Sequence, residues 1–132
     1  MPLTANIGIA VNGNHTSALD LGIATLPYSA ALAVALASGT GSGQADRIFT
    51  DIRTLGASAT ENLDLAGSLV DAFGATITMA KIKAVIILAD AGNTNDVQVT
   101  RPASNGVPMF LAAGDGVPVQ PGGAFVWVAP GA

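Results

Sequence analysis

The chain has no cysteine, a single histidine and few charges. Without cysteine there is no disulfide framework and no thiolate zinc site, and the redox compartment stays open. The one histidine, His15, lies in the Asn/Gly-rich stretch Asn12-Gly13-Asn14 and reads as a solvated loop residue. A metal site on a β scaffold would need several histidines and a carboxylate. A nucleophilic triad would have to recruit His15 as its base, and no serine stands in a Gly-x-Ser-x-Gly elbow. Basic residues are scarce as well: Arg47, Arg53, Lys81, Lys83 and Arg101, no three of them clustered, in a chain of net charge −4. Phosphate recognition depends on a concentrated basic patch, so no nucleic-acid partner is expected.

Long apolar runs are missing too. The stretch 26–38 contains Pro27 and is shorter than the roughly 20 residues a spanning helix needs. The run 84–89 is shorter again and is flanked by Lys83 and Asp90, so no membrane segment is expected. Residues 30–37, ending Ala35-Leu36-Ala37, imitate a signal h-region and cleavage site. No basic residue precedes Arg47, however, and Asp20 falls inside that leader, so a secretory signal is not expected. The Asn14-His15-Thr16 sequon therefore carries no weight.

The remaining chemistry is thin. Asp46 and Asp51, and likewise Glu61 and Asp64, are odd numbers of residues apart and would face opposite ways on a strand. Residues 90–96 are rich in oxygen ligands but lack the spacing and the distal glutamate of a calcium loop. The glycine-rich 39–43 has no Lys-Ser/Thr after it and no helix to follow. No catalytic, cofactor-binding or metal-binding residue is assigned, and no cofactor is expected.

What the chain does have is apolar residues (50%) against only 11% charged, where an average domain carries roughly 25% charged. So little charge predicts a surface covered largely by other protein chains. The 132 residues fit one domain, 1–132. Turn signals recur at Asn12-Gly13-Asn14, 39–43, Gly92-Asn93-Thr94-Asn95, Asn105-Gly106, Gly114-Asp115-Gly116 and Pro121-Gly122-Gly123.

Between the turns, period-two alternation predicts strands over 4–11, 46–55, 61–66, 76–88, 96–101, 107–112 and 124–128. In the first, Ile7, Ile9 and Val11 share a face. In 84–88 both faces are apolar, which predicts burial on both sides. Residues 28–37 alternate large and small side chains and favour a strand, against the helical preference of their alanines. Residues 66–74 suit one helical turn. The expected fold is all-β, an antiparallel, jelly-roll-like β-sandwich with at most one short helix. Phe125 and Trp127 share a strand face beside a double glycine and are the candidate subunit or host contact.

Several blocks resemble small virion structural proteins of tailed bacteriophages. They are Gly41-Ser42-Gly43-Gln44-Ala45-Asp46-Arg47-Ile48-Phe49 with Arg53-Thr54-Leu55, and Glu61-Asn62-Leu63-Asp64-Leu65-Ala66-Gly67-Ser68-Leu69 with Asp71-Ala72-Phe73-Gly74. Gly92-Asn93-Thr94-Asn95, Arg101-Pro102-Ala103 and Pro121-Gly122-Gly123 follow in order. Such relatives continue past Val128-Ala129-Pro130 with another strand pair, which a neighbouring subunit would supply here if the domain is not simply shorter. The resemblance implies a virion protein without enzymatic activity. It is expected to be a capsid decoration or cement protein on the outer shell, partnered by the major capsid protein and by its own copies, a trimer being favoured. A head-fibre, tail or baseplate subunit that contacts the host is the alternative.

Overall fold

The structure, a computed structural model, describes residues 2–132. It is all-β and largely antiparallel, with no helix among the described residues. Two compact units divide the chain, Met1–Asp46 and Arg47–Ala132.

The first unit is dominated by one hairpin. Strand β1 (Ala5–Leu19) pairs antiparallel with β2 (Gly22–Ser38) from Ala5 opposite Leu36 to Leu19 opposite Gly22 without a break. A two-residue loop, Asp20-Leu21, turns the chain at the tip. The strand expected over 4–11 therefore continues, and the expected turn at Asn12-Gly13-Asn14 lies in mid-strand. Those residues face Ser29, Tyr28 and Pro27, and the Ser29 hydroxyl donates to Asn12 Oδ1 across the ladder at 2.8 Å. A continuous cross-strand ladder satisfies backbone donors and acceptors that a local turn would release, and it overrides the turn preference of Asn and Gly. Residues 28–37 lie within β2, so alternation prevails over alanine's helical preference. At the base, β3 (Gln44–Ala45) adds a short parallel pairing to Ala37 and Ser38. The glycine-rich loop between them is closed by the Ala37 N–H on the Gly43 carbonyl (3.0 Å) and by the Gly41 N–H on Gln44 Oε1 (3.0 Å).

The second unit holds two small antiparallel pairs. Strand β4 (Ala84–Leu88) pairs with β7 (Ala124–Val128), and β5 (Val97–Thr100) with β6 (Gly116–Val119). Its core gathers Ala89, Val99 and Val119, with Ile87, Val97, Met109, Phe110, Val117 and Phe125 packed against them. Strand β6 was not expected, because it opens on Gly116, the last residue of the turn signal Gly114-Asp115-Gly116. Gly116 is needed where it stands: a Cβ there would lie 2.6 Å from both the Val99 carbonyl and Thr100 Cγ2.

Segments 46–55, 61–66 and 107–112 alternate as strands do, yet beyond Gln44–Ala45 and before Ala84 no named strand forms, and 107–112 is built of turns and bends. Alternation prepares a face; it does not provide the partner whose hydrogen bonds make a strand. Local contacts order these stretches instead. Arg53 lies between Asp51 (3.3 Å) and Glu61 (3.4 Å) and over the Phe49 ring (5.8 Å). Of the segment 76–88, only Ala84–Leu88 is a strand, and Thr76 makes a single bridge to Val70. Around that bridge the Ile77 N–H donates to the Leu69 carbonyl and the Met79 N–H to that of Leu65, each at 2.8 Å. Residues 66–74 form turns rather than a helical turn. Asp71 Oδ1 accepts from the Phe73 and Ala75 N–H groups at 2.9 Å each, a side-chain bond that competes with helix.

Candidate functional site

Two apolar faces, one in each unit, are open to solvent. In the β1–β2 ribbon, residues directly opposite each other share a face. One face therefore carries Ile7, Ile9, Val11, His15 and Leu19 with Leu26, Tyr28, Leu32, Val34 and Leu36. The other carries Asn6, Gly8, Ala10, Asn12, Asn14 and Thr16 with Thr25, Ser29 and three alanines, and Ile23 is its large apolar exception. The first face is large and apolar; the second is small or polar. Only Leu36, at the base, is buried. Every residue from 8 to 33 is exposed, including Leu26 at 67%, Tyr28 at 58% and Leu32 at 54%. An isolated two-stranded ribbon is marginal in water, and one that also exposes its apolar face is an unfinished element. His15 lies on this face opposite Leu26, in a strand and not in a loop.

The second open face belongs to the β4–β7 pair. Val85 and Ile87 share one side with Trp127 and Phe125, and all four are half-buried. Ile86 and Leu88 point the other way with Val126 and are exposed. Burial of 84–88 on both sides, expected from its uninterrupted apolar run, is therefore met on one side only. An antiparallel pair can leave one face uncovered, where a parallel one would be sandwiched.

The aromatic candidates face inward on this sheet. Phe125 packs on the Ala89, Val99 and Val119 cluster, with its ring centroid 5.7 Å from that of Phe110. Trp127 lies on the same strand face, opposite Val85. The structure thus keeps these two residues on one strand face and couples Phe125 to the core of its unit. The open partners of the same strands, Ile86, Leu88 and Val126, were not singled out by sequence. Their signal was the apolar residue at every position of 84–88.

Three basic side chains, Arg53, Lys83 and Arg101, bind within the chain. The Arg101 Nη1 donates to the carbonyls of Phe110 (2.8 Å) and Leu111 (3.3 Å), tying the 101–116 connection to β5. Lys83 Nζ donates to the carbonyls of Pro130 (3.3 Å) and Ala132. A recess of about 380 Å³ lined by Phe49, Arg53, Leu69 and Asp71 holds the Arg53 charge already balanced by Asp51 and Glu61. Among the described residues no group of three or more His, Cys, Asp or Glu could hold a metal ion. No helix among them is long and apolar enough to cross a membrane. No protein-family model, no curated protein and no solved structure matches the chain.

Proposed function

We propose that the chain is a structural subunit of a tailed-bacteriophage virion, a capsid decoration protein that binds the major capsid protein on the outer shell and stabilises it. The observation that carries this reading is the pair of uncovered apolar faces, one on each unit, in a chain of which only 11% is charged. Such a chain completes its folding surface only within an assembly. The resemblance of its sequence blocks to small phage virion proteins supports a virion as that assembly.

The magnitudes favour attachment through many copies. Five residues at about 3.3 Å each make the β4–β7 face about 17 Å long and, at about 10 Å wide, roughly 170 Å². At about 25 cal/mol per Å² that area contributes about 4 kcal/mol. Association itself costs about 4–15 kcal/mol, so one such face would not hold a lone copy on a shell. A closed homo-oligomer, a trimer in this reading, presents several faces at once and turns weak contacts into stable ones. In the same reading the small antiparallel sheets are layers of a jelly-roll-like β-sandwich completed by neighbouring subunits.

The test uses virions stripped of the protein. They are expected to lose DNA at a lower temperature and on dilution into low salt, and to recover when purified protein is added back. Protein carrying Ile86→Asp should rebind at least tenfold more weakly. Stripped virions that are equally stable and take up no protein would refute the reading. Uptake confined to the tail would replace it with an appendage role.

A further inference from the structure

We propose that the apolar face of the β1–β2 ribbon is the surface through which copies of this chain bind one another, ribbon on ribbon; the inference rests on the assembly-subunit reading above and gives its self-association a location.

The argument starts from charge. From residue 2 to residue 45 the only Asp, Glu, Lys or Arg is Asp20, in the loop at the ribbon tip. The face that carries Ile7, Ile9, Val11, Leu26, Tyr28 and Leu32 thus has no carboxylate, ammonium or guanidinium for a charged partner to read, and its one ionisable side chain is His15. It can also be laid against an identical face without burying like charges together, a cost that excludes self-pairing for most surfaces.

Size gives the second argument. A strand of 15 residues at about 3.3 Å each is about 50 Å long, and a two-stranded ribbon is about 10 Å wide. One face is then on the order of 500 Å², and two in contact cover on the order of 1,000 Å², about what a specific interface requires. Sheet faces stack about 10 Å apart with their strands roughly aligned, a geometry that twisted ribbons of the same hand meet naturally. The opposite face, built on Gly8, Ala10, Asn12, Asn14 and Thr16, offers little apolar area and is left to solvent.

The absence of cysteine makes the test direct, because any cysteine introduced is unique. Light scattering after size exclusion should give the 132-residue chain a mass that is a multiple of 13.0 kDa. Leu32→Asp should weaken that association at least tenfold. Single substitutions Ile9→Cys, Tyr28→Cys and Leu32→Cys should give disulfide-linked dimers on oxidation, whereas Ala10→Cys, Ser29→Cys and Ala33→Cys should not. The cysteine series keeps the test decisive even if Leu32→Asp unfolds the ribbon. A protein monomeric across the accessible concentrations, or one that crosslinks equally through both faces, would overturn the inference. A monomer that still restores stripped virions would overturn it while leaving the decoration role intact. A ribbon-linked oligomer that does not bind them would do the reverse.

Discussion

Two isoleucines of the Arg47–Ala132 unit, Ile77 and Ile52, provide a matched test of what orders its strand-poor half. Ile77 is 1% exposed and Ile52 is 93% exposed, so the same truncation to alanine should have very unequal consequences. Ile77 and Leu69 are the two buried apolar residues between positions 47 and 83, and they meet through the 2.8 Å bond from the Ile77 N–H to the Leu69 carbonyl. Removing three carbons from a side chain so enclosed loses transfer free energy and leaves a cavity, together about 2–4 kcal/mol. A unit of this size carries about 4–13 kcal/mol of stability, so Ile77→Ala should remove a large fraction of it. At about 4–8 °C per kcal/mol, the midpoint should fall by at least 8 °C. Ile52→Ala, which uncovers almost nothing, should stay within about 0.5 kcal/mol of the parent. Urea titration and thermal melts followed by circular dichroism measure both. Equal effects of the two substitutions would refute the claim that Ile77 anchors residues 47–83.

Other substitutions probe the β5–β6 pair and the core. Gly116→Ala drives a Cβ against the Val99 carbonyl and Thr100 Cγ2 at 2.6 Å, one of them backbone, and should cost about 1–3 kcal/mol in a urea titration. Arg101→Met keeps much of the side-chain volume but releases the carbonyls of Phe110 and Leu111. Amide exchange over residues 109–116 should then accelerate at least tenfold, with β4 and β7 little changed. Phe125→Ala empties the contact with Phe110 and the Ala89, Val99 and Val119 cluster, and should destabilise by about 3–5 kcal/mol. If Phe125→Ala instead left stability unchanged and removed only a binding activity, Phe125 would be a surface contact and not a core residue.

Particular residues show how far the sequence carried. Ala124–Val128 and Val97–Thr100 were legible because short alternating runs stand between strong turn signals, and both found partners. The β1–β2 ribbon was half legible. Its alternating faces could be read from Ile7, Ile9 and Val11 and from Tyr28, Leu32 and Val34. Its length was hidden by Asn12-Gly13-Asn14, whose turn preference yields to a register set by more distant residues. The opposite error concerns residues 46–55, where Ile48 and Ile52 alternate well but meet no partner strand and stay exposed. In the candidate site, alternation identified the apolar face of β2, and the unbroken apolar run marked both faces of β4. It did not tell which would be covered within the chain, because a face destined for core and one destined for another subunit have the same composition.

The central claim is that this chain works as part of a particle shell, and a cryo-electron-microscopy map of the intact virion tests it most directly. The account predicts density for the chain on the outer capsid lattice, at threefold or quasi-threefold positions. There the β4–β7 face should lie against the shell, and β1–β2 ribbons should meet in face-to-face pairs between copies at adjacent positions. Density confined to the tail or to sparse fibres would contradict the decoration role, and a virion containing no such density would contradict the structural role altogether.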